Sequence, residues 1–274
     1  MRIGVRGHDY GCASAPVMAE RISNAGFCCF QLALHKAIEG MKPVCGQLNP
    51  GLCYDIRTAF EKKNLEVAVL GCYIDPANHD DEKRAYEVKR FRENVAYCRQ
   101  LGSNIVATET SNFKGTEDER KKQFALLTDS VLRMVEQAER FGVFVGIEPV
   151  LTHTLNTPLL TGKLLDIVAC DNMQIVLDPI NLLSPENIGR QREIIDECFD
   201  IFGDRIVAIH AKDVVIDNDG RFRRCVIGQG IFDHEYFYKK VAQYKPGISV
   251  LREEAKPESA HLDIEALKRF TENV

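Results

Sequence analysis

"QIVLDPINLL", residues 174–183, reads as a short buried strand that stops on a carboxylate. Ile175, Val176 and Leu177 are good strand formers, and Asp178 followed by Pro179 closes off any continuation. A lone Asp in such a place usually does no more than start a turn. Three other stretches behave alike, however. "VFVGIEPV" (143–150) reaches Glu148, "IVAIHAKD" (206–213) reaches His210, and "ISVLREEA" (248–255) reaches Glu253 or Glu254. A strand that ends on an acid is ordinary; four strands that place Glu, Asp, His and Glu at corresponding ends ask for a common cause.

Working outward from that stretch, strand-like and helix-like segments alternate along the chain. The strands are expected at 2–6, 28–34, 66–73, 104–109, 143–148, 174–178, 205–210 and 248–253. Amphipathic helical patterns lie between them, clearest at 82–101 and 118–141, and a last one covers 262–272. Eight strands each followed by a helix, with no Pro/Gly/Ser-rich linker, predict one (β/α)8 barrel domain over residues 1–274. The competing doubly wound sheet lacks its phosphate-binding signature, because "GVRGHDYG" is not G-x-G-x-x-G. Helix-to-strand connections are tight ("NAG" 24–26, "LGS" 101–103, "GDR" 203–205), whereas strand-to-helix loops are long (35–54, 149–160, 211–232). Long loops on the C-terminal side of the strands mark the face where barrel enzymes build their sites.

Side chains two apart on a strand share a face. With Glu148 inward, Gly146 and Phe144 lie below it; Asp178 has Val176 and Gln174 below, and His210 has Ala208 and Ile206. Glu253 would stand above Leu251 and Ser249, whereas Glu254 would turn Arg252 and Val250 inward, so the alternation favours Glu253. These four groups come from consecutive barrel strands and converge on one quarter of the mouth. Three carboxylates packed together repel one another unless a cation sits among them. Three hard oxygen ligands and one imidazole suit a single divalent ion, with Mn²⁺ the first expectation and Mg²⁺, Co²⁺ or Zn²⁺ as alternatives.

Composition narrows the class. Hydrophobic residues at 45% and charged residues at 27% are ordinary for a soluble protein, and no apolar run reaches the roughly 18 residues of a membrane span. The opening "MRIGVRGHDYG" has no secretory apolar stretch, so a cytoplasmic protein is expected. A net charge of -5 gives no basic footprint for nucleic acid. Ten cysteines with no C-x-x-C pair are read as reduced thiols packed as small hydrophobes. Open positions on such an ion would take the oxygens of a small-molecule partner, and homo-oligomerisation is left open.

"GIEP" with Glu148, "LDPIN" with Asp178, "IHAKD" with His210 and Asp213, "VIGQGIFD" (226–233) and a Glu on the last strand resemble the xylose isomerase-like TIM barrel superfamily, the group of sugar-phosphate isomerases and epimerases. The resemblance implies a divalent metal held by Glu148, Asp178, His210 and Glu253, with Glu148 and Glu253 also serving as acid and base. It implies isomerisation or epimerisation of a small sugar, ketose or sugar phosphate through an enediolate stabilised by the metal. The chain departs from the epimerase pattern three residues after Asp178, where Asn181 stands in place of His. Asn can hydrogen-bond a hydroxyl but cannot transfer a proton near neutral pH, which leaves open a dehydratase or C-glycoside lyase using the same metal site. An endonuclease IV-type repair nuclease would need a His-rich three-metal cluster that this chain lacks, and a non-catalytic sugar-binding module would have no use for the gathered carboxylates. His8, Glu109, His153, Asn181 and Lys212 are the candidate substrate contacts, with Gln31 and Asn156 as further rim positions. Lys212 and Asp213 are expected to orient His210 or a substrate oxygen, and His35, His79, His234 and His261 are expected at the surface.

Overall fold

The computed structural model describes residues 1–272; the last two residues of the domain expected over 1–274 lie outside them. Strands β1 (Arg2–Arg6), β2 (Cys29–Leu32), β3 (Glu66–Gly71), β4 (Ile105–Glu109), β5 (Phe144–Glu148), β6 (Met173–Leu177) and β7 (Ile206–Ala211) pair in parallel with their sequence neighbours. A short antiparallel hairpin, β8 (Val214–Ile216) with β9 (Phe222–Arg224), follows, and β10 (Ser249–Arg252) then pairs with both β7 and β1 to close the barrel. The hairpin lies within the stretch expected as loop 211–232, and its turn is the "DNDG" sequence, where the Gly220 N–H donates to the Asp217 carbonyl at 3.0 Å.

Nine helices are seen among the described residues: α1 (Ala15–Asn24), the one-turn α2 (Leu34–Ala37), α3 (Pro50–Glu61), α4 (Asp81–Tyr97), α5 (Glu117–Phe141), α6 (Pro158–Val168), α7 (Gln191–Phe202), α8 (His234–Tyr244) and α9 (Ala260–Glu272). Their starts are written in the sequence. Asn49 before Pro50 and Thr157 before Pro158 cap the first free N–H groups, and Thr116 with Glu119 forms a reciprocal capping box on α5. No helix among the described residues is long and apolar enough to cross a membrane.

Two apolar layers result. A large one packs the outer faces of the strands against the helices. A small one fills the barrel: Cys29, Ala68, Val69, Ala107, Val176, Ala208 and Leu251, with Ile105 against them. Val176, Ala208 and Leu251 therefore lie below Asp178, His210 and Glu253 as the alternation predicts. Ile206 does not follow: it belongs to the outer layer. The reason is a bulge, since Ile175 pairs with Ile206 but Val176 pairs with Ala208, and the extra residue Val207 resets the alternation.

Candidate metal centre

The four expected groups arrive at the mouth by two routes. Glu148 and His210 lie on β5 and β7 themselves. Asp178 and Glu253 are the first residues beyond β6 and β10, and the Glu253 N–H still donates to the Ala211 carbonyl at 3.1 Å. Glu254 leaves the site: it takes a positive φ of 56°, and its carboxylate pairs with Arg224 at 3.0 Å. Glu148, Asp178, His210 and Glu253 are all buried, at 3%, 0%, 1% and 1% exposure.

His210 is the centre of the arrangement. Its Nδ1 lies 3.2 Å from Glu148 Oε2 and 3.5 Å from Glu253 Oε1. Donor atoms from Glu148, His210 and Glu253 all lie within 4.8 Å of one another, a spacing that could hold one metal ion. Both carboxylates are also held by neighbours outside the triad. Glu148 Oε1 accepts from Asn181 Nδ2 at 2.7 Å, and Glu253 Oε1 accepts from Arg6 Nη1 at 2.9 Å. Asp178 does two jobs with two oxygens. Its Oδ1 accepts from the N–H groups of Ile180 (2.9 Å) and Asn181 (3.3 Å), which is the turn-starting role, while Oδ2 faces the site.

Asp178 Oδ2 meets Lys212, whose ammonium lies 2.8 Å away, also bonds Glu253 Oε2, and donates to Asn181 Oδ1 at 3.0 Å. The structure thus gathers Glu148, His210 and Glu253 as a triad and sets Lys212 between Asp178 and Glu253. Lys212 acts there as an internal counterion to the carboxylates. Asn181 bridges Glu148 and Lys212, so both ends of its carboxamide are engaged.

The charges explain the protonation pattern. Burial alone would lower the His210 imidazolium, but Glu148 and Glu253 outweigh it and raise it to about 9. Burial would likewise raise the Glu253 carboxyl, yet His210, Lys212 and Arg6 hold it well below the usual range. Asp178 is raised by burial, against the pull of Lys212, and Lys212 is raised because the carboxylates around it outweigh its burial. Glu109, paired in register with Glu148, is pushed up to about 7 by burial and then by the charges of Glu148 and Glu253.

The fold that carries these residues is also supported by comparison with known proteins. The model of the xylose isomerase-like TIM barrel family matches residues 19–270. The chain belongs to that family. No curated protein matches it in sequence. Among solved structures, the xylose isomerase-like barrel is similar to a D-tagatose 3-epimerase-like protein (19% identity, TM-score 0.76, 100% of this chain and 98% of that one). It is also similar to the IolI protein with a zinc atom bound (16%, 0.75, 100% and 99%) and to 3-keto-D-glucoside 4-epimerase YcjR from E. coli (17%, 0.74, 98% and 99%). At these identities the likeness is one of fold.

Three other expected residues, His8, His153 and Asn156, take separate places. His8, on the turn after β1, packs edge-on against Tyr73 at 5.9 Å and is lowered to about 3 by burial and then by Arg6 and Lys36. His153 is buried, lowered by that burial, and has Nε2 4.0 Å from Glu109 Oε2. Asn156 lines a groove with α5 and α6 residues, among them Arg120, Phe124 and Leu159.

Asp213 and His234 are corrections. Asp213 does not reach His210; it accepts from the N–H groups of Val214 (2.8 Å), Gly228 (2.8 Å) and Gly230 (3.0 Å), and lies 3.1 Å from His234 Nε2. Gly230 must be glycine for this, since a Cβ there would stand 2.1 Å from Asp213 Oδ1. His234, expected at the surface, is 3% exposed and stacks on Phe270 at 5.0 Å, a partner from α9 that is remote in sequence. Asp213→Ala is expected to lower the unfolding free energy of the metal-free protein by at least about 2 kcal/mol, because each orphaned buried donor costs about 1–3 kcal/mol. Denaturant unfolding checks it, and a loss under about 0.5 kcal/mol would show the loop is held by other means.

Arg6, Gln31 and Tyr73 are the neighbours that sequence reasoning passed over or ranked low. Arg6 is the last residue of β1, and that place at a strand's C-terminal end was its only signal.

Proposed function

We propose that the protein is a divalent-metal-dependent isomerase or epimerase of a small sugar, ketose or sugar phosphate. The observation that carries the reading is the convergence of three buried side chains, Glu148, His210 and Glu253, whose donor atoms lie within 4.8 Å of one another. The residues fit a hard divalent ion: oxygen and nitrogen donors, excluded from water, with Glu148, His210 and Glu253 as the gathered set. Asp178 is assigned as the fourth donor through Oδ2, which becomes available if Lys212 moves aside. Support for a sugar-like substrate comes from the neighbours, which include the D-tagatose 3-epimerase-like protein and 3-keto-D-glucoside 4-epimerase.

When bound, the metal supplies Lewis acidity that polarises a substrate carbonyl and acidifies the adjacent C–H. The chain's own residues do the rest. Glu148 and Glu253 approach from β5 and β10, on either side of His210, so one carboxylate oxygen can take a proton from one face of the substrate carbon while the other group, protonated from solvent, delivers a different proton to the opposite face. Asn181 fixes the Glu148 carboxylate, and Arg6 fixes that of Glu253. His8, Glu109, His153 and Lys212 are assigned to the substrate wall, with Lys212 carrying the positive charge that suits an enolic or phosphate oxygen.

The test is a panel of ketoses and ketose phosphates incubated with the protein and Mn²⁺ in D₂O. One substrate should take up deuterium next to its carbonyl and form its isomer, and chelation of the metal should stop both. Loss of water or of an aglycone would redirect the reading to a lyase. No exchange and no conversion with any compound would overturn it.

A further inference from the structure

The side of His210 that faces away from the glutamates is as tightly specified as the side that faces them. Its Nε2 lies 2.7 Å from Gln31 Oε1, in the middle of β2, and Gln31 is 1% exposed. The other end of that carboxamide is engaged too: Gln31 Nε2 donates to Tyr73 Oη at 2.8 Å. A line of hydrogen bonds therefore runs Tyr73–Gln31–His210 across the barrel, ending at the nitrogen opposite the donor triad.

Two features of the backbone are built around this line. Phe30 pairs with Val67 but Gln31 pairs with Val69, so β3 carries one extra residue against β2. Ala68 and Val69 consequently both pack in the inner layer, and the alternation beyond them is reset, which brings Gly71 and Tyr73 to the side of Gln31. Gly71 also leaves room for the carboxamide, because a Cβ there would stand 2.9 Å from Gln31 Nε2.

The geometry points to Gln31 as a positioning residue for the metal-binding imidazole: its carbonyl oxygen holds Nε2 as the N–H and leaves Nδ1 as the donor between Glu148 and Glu253. The inference rests on the metal-site reading above. Tyr73 keeps the carboxamide in this orientation, since its oxygen accepts from the NH₂ end. The opposite orientation would set NH₂ against the Nε2–H. The same arrangement serves the imidazolium and the metal-ligating imidazole, because Nε2 carries a proton in both. No rearrangement of Gln31 accompanies loss of the Nδ1 proton. A metal-ligating His whose outer N–H loses its acceptor typically forfeits about 10–100-fold in metal affinity.

The test is calorimetric titration of the full chain with Zn²⁺ alone, comparing wild type with Gln31→Met, Gln31→Glu and His210→Ala. Gln31→Met keeps the volume and removes the acceptor; it should weaken binding about 10–100-fold. Gln31→Glu restores an acceptor for Nε2–H and should bind at least as tightly as wild type. A packing role would give the reverse order, with Met tolerated and the buried Glu disruptive, and that order would overturn the inference. ¹⁵N NMR of the zinc-loaded wild type, labelled at histidine, should show His210 bound through Nδ1 with its Nε2 proton retained. Zinc on Nε2 would overturn the inference even if a Gln31 variant failed to fold. Failure of the underlying reading looks different: His210→Ala would then bind Zn²⁺ as well as wild type.

Discussion

Replacing Glu253 by Gln is expected to lower turnover by about 10²–10⁴-fold, the amount that general acid–base catalysis usually supplies, while Glu254→Gln leaves turnover unchanged. The pair discriminates because the two residues are adjacent in sequence and opposite in environment. Glu253 is 1% exposed, within 3.5 Å of His210 Nδ1 and pinned by Arg6. Glu254 turns outward at a φ of 56° to meet Arg224. Gln keeps the shape and one acceptor oxygen of Glu, so Zn²⁺ affinity should fall far less than turnover. Glu148→Gln should behave like Glu253→Gln, because its Oε2 faces the same imidazole nitrogen from the other side. Turnover and Zn²⁺ content of the four proteins, measured on the substrate that the D₂O panel identifies, are the readout. Full activity in Glu253→Gln would remove strand β10 from the chemistry, and a loss in Glu254→Gln would show that the outward carboxylate is needed.

The choice between these two glutamates was legible in the sequence because it depended only on alternation within one strand. Leu251 is apolar and small enough to sit beneath the site, and Arg252 is not. What alternation could not reveal are the places where a neighbouring strand resets it. The extra residue in β7 sends Ile206 to the outer layer, and the extra residue in β3 brings Tyr73 to Gln31. Both depend on pairing between strands, which leaves no trace in either strand alone. Lys212 was half legible. It lies two residues beyond His210 and shares its face, yet a lysine past a strand end reads as solvated until the carboxylates that neutralise it are placed. His234 was illegible, because its neighbour Phe270 and its carboxylate Asp213 come from two distant segments. The barrel itself was the easiest inference: eight alternations with short loops at one end and long ones at the other admit few other closures.

Zn²⁺ affinity is expected to rise about tenfold for each pH unit between about 7 and 9, then level off. His210 sets that window. In the metal-free protein Glu148 and Glu253 overcome the cost of burial and keep the imidazole charged up to about 9, so a metal on Nδ1 must displace one proton. One proton released per ion gives a slope of one on a logarithmic plot, and the slope vanishes where the imidazole is already neutral. Below about 7, Glu109 also begins to take up a proton, which reduces the negative charge around the triad and steepens the loss. The same residues set the stability of the metal-free fold with opposite signs. His210 is raised from its ordinary 6.5, so its contribution is complete below 6.5 and is lost as pH climbs through about 9. Glu253 is lowered from its ordinary 4.5, so its contribution is complete above 4.5 and is lost as pH falls toward its folded value. Zn²⁺ should therefore raise the melting temperature more at pH 9 than at pH 6.5, since at pH 9 the metal binds more tightly and replaces the charge that the imidazolium is losing. Calorimetry in two buffers of different ionisation enthalpy counts the released proton directly. An affinity independent of pH from 7 to 9, with no proton released, would take His210 out of the ligand set.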